Sequence, residues 1–349
     1  MSERKKVFVG LSGGVDSSVA ALRLLQQGHD VTGVFIKVWH PVFLVCNWEQ
    51  ERLDAMRVAA KLGIPFLTCD AEAAYRDEVA HYFIESYRAG LTPNPDVMCN
   101  KEVKFGAFMA FAKARGADAI ATGHYAQKRG TELLRGVDTN KDQSYFLWTL
   151  TPEQLAYTLL PVGDSTKDVI RAEAAAAGLL TAEKKDSQGV CFLGHIDIPN
   201  FLSHYITLAA GHVLDEHGTI VGEHRGAFVY TIGQRHGFTI HTADTHVAPH
   251  FVIAKNVVTN TITVSTTAPV LTPATTITLG STVLRDTLSS IDTVSAQSRY
   301  RQKPFTVTVT DNSVDTLSLV ASESTEAVAA GQSCVLYRGE VCIGGGIIL

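Results

Sequence analysis

Two features of this 349-residue chain have the composition of reactive sites. One is a glycine-rich turn, Ser12-Gly13-Gly14-Val15-Asp16-Ser17; the other is a pair of cysteines in polar loops, Cys99 and Cys191. Adjacent glycines let the backbone approach an anion closely, the freed N–H groups point at it, and a following helix adds the positive end of its dipole. Ser12, Ser17 and Ser18 supply hydroxyl donors. A Walker turn needs G-x-x-x-x-G-K-[ST] and a dinucleotide fingerprint needs G-x-G-x-x-G; the chain has neither here. The turn is read as a phosphate cradle of another type, against the plainer reading of an ordinary strand-to-helix turn.

Cys99 ends the run Thr92-Pro93-Asn94-Pro95-Asp96-Val97-Met98-Cys99. Two prolines fix φ and disfavour helix in the residue before each, so a stiff loop is expected, with Cys99 at the N-terminus of a helix over Lys101 to Arg115. A free thiol is only about 3% thiolate at pH 7, whereas a helix end and nearby cations such as Lys101 and Lys104 make it far more nucleophilic. Cys191 follows Lys184-Lys185-Asp186-Ser187-Gln188-Gly189-Val190 and has two lysines nearby. The alternative for each cysteine is a small buried apolar residue. No two of the six cysteines form a C-x-x-C pair, which argues against a zinc or iron–sulfur clip, and no metal site is expected. His195 receives no role.

The elements that must position these residues follow from periodicity. Lys6 to Leu11 reads as a buried parallel strand, and Ser17 to Gln27 as a helix ended by Gly28. Val31 to Lys37 and Phe66 to Cys69 read as further strands, with a helix over Glu49 to Leu62 between them. A helix over Ala71 to Arg88, the helix at Lys101 and a short strand Ala119 to Thr122 continue the alternation, which implies an open parallel sheet binding ligands at its carboxyl edge. Lys141 to Leu147 is read either as a nucleic-acid contact or as a helix cap. Helices are expected from Thr151 and from Thr166. From about residue 210 short β-like runs take over, including His212 to Leu214, Phe228 to Tyr230, Phe251 to Ala254 and Ile262 to Val264. Ser265 to Thr276 reads as a linker into a C-terminal β-barrel, whose most basic segment is Arg299 to Lys303.

Length points to more than one domain, and 46% hydrophobic with 19% charged residues is a globular composition. No apolar run is long enough to span a bilayer, so a cytoplasmic protein without membrane association is expected. A net charge of −5 gives no global attraction to nucleic acid, and an RNA partner would need local basic patches.

SGGVDSS resembles the pyrophosphate loop (PP-loop) of ATP pyrophosphatases. SGGVDSS, TPNPDVMCNKEVKF, ATGHY, NKDQSYFL, KKDSQGVCF, YTIGQR, RYRQ and GQSCVLYRGEVCIGGGII, in this order and over essentially the whole chain, look like the tRNA-specific 2-thiouridylase family. The resemblance implies an α/β fold: an open parallel-sheet adenine nucleotide α-hydrolase-like domain over residues 1–200, a small β-rich tRNA-binding domain over 201–267, and a C-terminal tRNA-binding β-barrel over 268–349. It implies ATP, with Mg2+ expected alongside it, used to adenylate the C2 oxygen of the wobble uridine in tRNAs for lysine, glutamate and glutamine. Sulfur then comes from a persulfide on Cys191, loaded by a sulfur-relay protein or a cysteine desulfurase. Cys99 is the second thiol and Asp96 the candidate acid/base, and the cycle can end in a Cys99–Cys191 disulfide. Gly10, Leu11, Ser12, Gly13, Gly14, Val15, Asp16, Ser17, Ile36 and Gly123 match ATP contacts. Asn94, Pro95 and Asp96 match the target-base loop. His124, Lys141, Asp142, Gln143, Tyr300, Arg301 and Gln332 match tRNA contacts. Two departures are the apolar stretch over residues 38–50, where acidic residues are frequent in the family, and Gln188, where Thr is common. Other PP-loop enzymes such as amidating ligases would have no use for the two thiols.

Overall fold

The computed structural model describes residues 3–44, 48–185, 197–241, 248–313 and 315–349. Strand β1 (Lys6–Gly10) leads into the glycine turn and helix α1 (Val15–Gln26). Strands β2 (Asp30–Lys37), β3 (Phe66–Asp70), β4 (Ala119–Ala121) and β7 (Thr158–Leu159) join β1 in one parallel sheet of order β3-β2-β1-β4-β7. Its central strands are apolar on both faces because helices cover both; Val7 and Val9 pack on one side, Phe8 and Val34 on the other. The open parallel sheet expected from the alternating pattern is present. α2 (Trp48–Leu62) lies beside α1, while two long helices over residues 72–88 and 95–113 lie on the opposite face. Both long helices carry wide π-type turns, at Tyr75–Ala80 and Cys99–Ala107.

The second long helix corrects the expected start. It begins at Pro95 rather than Lys101, because the Asn94 side chain accepts the Val97 N–H at 3.3 Å as an N-cap. Pro95 in the first turn gives up no needed donor. Cys99 therefore sits one full turn inside the helix.

A hairpin of β5 (Ala126–Arg129) and β6 (Glu132–Arg135) leaves the parallel sheet and joins the C-terminal strands. Between them lie β8 (Gly211–Leu214), β9 (Ile220–His224), β10 (Phe238–Ile240), β11 (Phe251–Asn256) and β12 (Thr261–Ser265), a sheet of order β10-β9-β8-β12-β11. Residues Ala227–Val229 form a 3-10 turn, not the strand expected over Phe228 to Tyr230. The stretch read as a linker contains β13 (Val270–Leu271), which pairs with β18 (Thr325–Glu326). The expected barrel is present: β14 (Thr276–Leu284), β17 (Thr316–Ala321), β16 (Phe305–Asn312), β15 (Thr293–Gln297), β19 (Ser333–Arg338) and β20 (Val341–Ile348) follow one another, and β14 pairs back to β20. β6 adds to β20 outside this closure. Barrel residues Val335, Tyr337 and Cys342 thus share one core with Phe105, Leu133 and Leu147.

Within the stretch that departs from the family pattern, Phe43 and Leu44 have a packing role. Phe43 stacks on His204 with ring centroids 3.7 Å apart and meets Phe201 and Tyr205, and Leu44 joins the same cluster.

Candidate active site

The glycine turn lies at the carboxyl end of β1, where its conformation is enforced from both sides. Gly13 has φ +72°, and a Cβ there would meet the Glu51 carbonyl at 2.7 Å. Gly14 is the extended N-cap of α1. Ser12 and Ser17 hydroxyls are 3.3 Å apart, with the Ser12 hydroxyl also accepting the Gly14 N–H. Ser18 is turned to structure instead: its hydroxyl donates to the Gly14 carbonyl at 2.7 Å and is buried. Gly10 ends β1 beside Ile36, whose side chain is buried, and Val15 faces the core. Gly123, after β4, packs directly on this turn; a Cβ would sit 2.6 Å from the Ser17 nitrogen. The residues matched to ATP contacts are therefore brought together at one sheet edge.

Two residues given no contact role from sequence, Tyr125 and Lys167, complete this edge. Tyr125 donates its phenol hydrogen to Asp16 Oδ1 at 2.6 Å, and buried Lys167 donates to both Asp16 oxygens at 2.8 and 2.9 Å. Lys184 bridges the Gly13 carbonyl (3.0 Å) and Asp54 (2.7 Å). Burial alone would raise the Asp54 carboxyl, yet hydrogen bonds from Lys184 and Gln50 leave it below its ordinary value. The neighbouring Glu51 carboxyl is raised, chiefly by burial. Tyr125 stood inside the quoted ATGHY motif, whereas Lys167, about 150 residues from Asp16, carries no local signal.

The Cys99 region is held by all three parts of the chain. Thr92 donates its N–H to the Ala330 carbonyl at 2.8 Å, and its hydroxyl lies 3.1 Å from that of Thr231 in the central β region. Asn94 meets the Tyr145 hydroxyl, which donates toward the Ser298 and Ser333 carbonyls at 3.1 Å each. Asp96 is half-buried in the first helical turn. Cys99 is 0% exposed among Val97, Val103 and Phe105. Of the two lysines expected near it, Lys101 pairs with Glu102 at 2.8 Å, and Lys104 faces His124 Nε2 at 3.4 Å. His124 is itself buried, and burial first, then the Lys104 charge, hold its imidazole well below the ordinary value. With Lys104 donating to Nε2, the Nδ1–H is left to donate to Thr122 Oγ1 at 2.8 Å. Cys191, His195 and Gln188 lie outside the described residues, as does Cys46.

Within Lys141 to Leu147, Asp142 accepts at the start of a 3-10 turn over Ser144–Leu147, whereas Gln143, its N-cap residue, makes no side-chain cap bond and reaches Tyr125 instead. Asp142 accepts from the Gly136 and Ser144 N–H groups at 2.9 and 3.0 Å and from Arg135, and Gln143 Oε1 accepts the Tyr125 N–H at 2.9 Å. Asn140 is exposed, and its carbonyl accepts from Arg301 Nε at 3.1 Å. Tyr300 packs on Phe146 with centroids 4.6 Å apart, under the Arg301 guanidinium. Arg301 is thus brought to Asn140, and Tyr300 to Phe146, although the two segments are about 160 residues apart. Gln332 lies on the Ala330 side of the Thr92 clamp, and its Oε1 is buried without a hydrogen-bond partner.

A parallel α/β sheet with a glycine turn at its carboxyl edge, followed by a β sheet and a closed barrel, defines a multidomain nucleotide-binding protein. Residues 5–195 match the family described as tRNA methyl transferase HUP domain, 199–266 that described as tRNA methyl transferase PRC-barrel domain, and 280–348 that described as aminomethyltransferase beta-barrel domain. The chain is 44% identical to the tRNA-specific 2-thiouridylase MnmA of Enterococcus faecalis, covering 99% of this chain and 96% of that one. It is 42% identical to that of Shewanella frigidimarina (99% and 96%) and 40% identical to that of Francisella philomiragia (99% and 100%). The chain belongs to the tRNA-specific 2-thiouridylase family.

Proposed function

We propose that this protein is a cytoplasmic tRNA sulfurtransferase that replaces the C2 oxygen of the wobble uridine with sulfur in tRNAs for lysine, glutamate and glutamine. The observation that carries the reading is the convergence of three parts of the chain on the turn bearing Asn94, Asp96 and Cys99, whose helix runs on to Lys104, facing His124 next to the glycine that packs on the loop. A macromolecular substrate touching all three parts would be registered against that turn.

A uridine C2 carbonyl is a poor electrophile, so its oxygen must first become a leaving group. Attack of that oxygen on the α-phosphate of ATP forms an adenylate and releases pyrophosphate, whose charge suits the N–H groups of residues 12–14 and the N-terminus of α1. Among the described residues no three acidic, histidine or cysteine side chains converge as metal ligands, so the fit for Mg2+ is through the phosphates it would accompany and neutralise. In this reading Asp96, half-buried in the first turn of its helix, is the acid/base that takes the uridine N3 proton. The terminal sulfur of a Cys191 persulfide then attacks C2 and AMP leaves. The Cys99 thiolate attacks Cys191 Sγ, freeing the thiouridine and leaving a disulfide that a reducing thiol reopens. Alternatively Cys99 performs that attack first and the released hydrosulfide attacks C2. Either route requires the Cys99 thiol, 0% exposed here, to become accessible to Cys191. The persulfide donor is a sulfur-relay protein or a cysteine desulfurase.

The test is conversion of ATP to AMP and pyrophosphate with unmodified tRNA. The expected result is tRNA-dependent release retained in Cys191→Ser. No release from wild type with any of the three tRNAs would overturn the reading.

A further inference from the structure

Two hydrogen-bonded arms from outside the nucleotide loop end on one carboxylate, Asp16. In the first, the Tyr125 phenol donates to Asp16 Oδ1 at 2.6 Å, and the Tyr125 backbone is clasped by Gln143, with N–H to Oε1 at 2.9 Å and the carbonyl accepting the Gln143 N–H at 2.8 Å. In the second, Lys167 Nζ holds both Asp16 oxygens while its backbone N–H donates to Asp138 Oδ2 at 2.9 Å. Asp138 and Gln143 are the two ends of one short loop. Asp138 Oδ1 also accepts the Asn140 N–H at 3.1 Å, and Asn140 in turn receives Arg301 of the barrel.

Helix packing alone does not require these arms. α1 already meets the helix Lys167–Ala176 through Val19, Ile170 and Ala174, and through Arg23, which Glu173 and Asp164 hold at 2.6 and 2.7 Å. The Lys167 and Asp16 side chains are 11% and 31% exposed, and a partly buried pair of this kind adds little net stability, so its effect is sought in the geometry it sets. Here the geometry defined is the position of the nucleotide loop relative to both ends of the 138–143 loop.

We propose that Tyr125 and Lys167 are positioning residues that hold the pyrophosphate loop in fixed register with the 138–143 loop, so that RNA lying across that loop and Arg301 is presented to the nucleotide at a set distance. The inference rests on the RNA substrate proposed above. A misplacement of about 1 Å at a transfer step costs on the order of 100-fold in rate without removing either binding site.

Tyr125→Phe cuts the first arm at a single oxygen, and Asp138→Ala cuts the second outside the nucleotide loop. Three quantities are measured on the full chain: Kd for ATP without tRNA, Kd for tRNA without ATP, and the single-turnover rate of pyrophosphate release with both saturating. The expected result is a rate lowered at least tenfold in each variant while both Kd values stay within threefold. A release rate within twofold of wild type for either folded variant would overturn the inference, as would a loss accounted for wholly by weaker binding of one ligand. Absence of tRNA-dependent release in the wild type would overturn the underlying reading and this inference with it.

Discussion

Gly123 and Gly116 separate two reasons for a glycine. A Cβ on Gly123 would collide with the backbone at Ser17 and Asp16, so Gly123→Ala must move the glycine turn. At least tenfold weaker ATP binding is expected, read by titration calorimetry. Gly116 has φ +68° and open space around it, so Gly116→Ala should cost only about 1 kcal/mol of stability and leave ATP binding unchanged. His124 gives a pH test. Its imidazole is held neutral by burial and Lys104, with a folded value well below the unfolded one. Its contribution is therefore complete above about pH 6.5 and is lost as pH falls, by at most about 1.4 kcal/mol per pH unit, because the unfolded chain binds the extra proton. His124→Gln is expected to flatten the decline in unfolding midpoint between pH 7 and pH 5; an unchanged slope would contradict the assignment. At this scale Gly13 and Gly14 were legible in the sequence, because backbone conformation is local. The burial of His124, the structural commitment of Ser18 and the Lys167 partner of Asp16 were not, since each depends on what a distant segment places against it.

The elements show the same division between local and distant causes. Parallel strands and their helices were readable from apolar runs and glycine stops. The start of the 95–113 helix was missed because the two prolines read as a stiff loop, while Asn94 and Pro95 together make an N-terminus. The β5–β6 hairpin left little trace: Gln127 to Arg129 are polar, and Leu133 is its one fully buried long side chain, so alternation is weak until β20 pairs with it. Tyr145 is the element-scale anchor, joining the loop at Asn94 to two barrel carbonyls, and burial raises its phenol well above the ordinary value. Tyr145→Phe leaves the Ser298 and Ser333 carbonyls short of a donor, so a loss of about 1–3 kcal/mol is expected in denaturant unfolding. A fall below about 0.5 kcal/mol would show that the anchor lies elsewhere.

Across the whole molecule, the barrel is a structural partner of the nucleotide-binding sheet. Tyr337 packs under Arg135 at 3.5 Å and meets the Ser144 hydroxyl at 3.2 Å, while Val335, Tyr337 and Cys342 complete the core around Phe105 and Leu147. Truncation before β14 would expose that core, and the remaining chain is expected to aggregate rather than persist as a free nucleotide-binding domain, as size-exclusion chromatography would reveal. The order of parallel sheet, β region and barrel was visible in the sequence as a change in pattern, but the shared core was not, because pairing between β6 and β20 spans about 200 residues. Among the described residues no helix is long and apolar enough to cross a membrane. The central claim is that glycine loop, target turn and thiols serve one reaction on one uridine. It is tested most directly by digesting tRNA to nucleosides after incubation with ATP, Mg2+, a persulfide donor and the protein, and quantifying 2-thiouridine by mass spectrometry. Wild type should yield 2-thiouridine with equimolar AMP, and Cys191→Ser should yield none; thiolation by Cys191→Ser at the wild-type rate would contradict it.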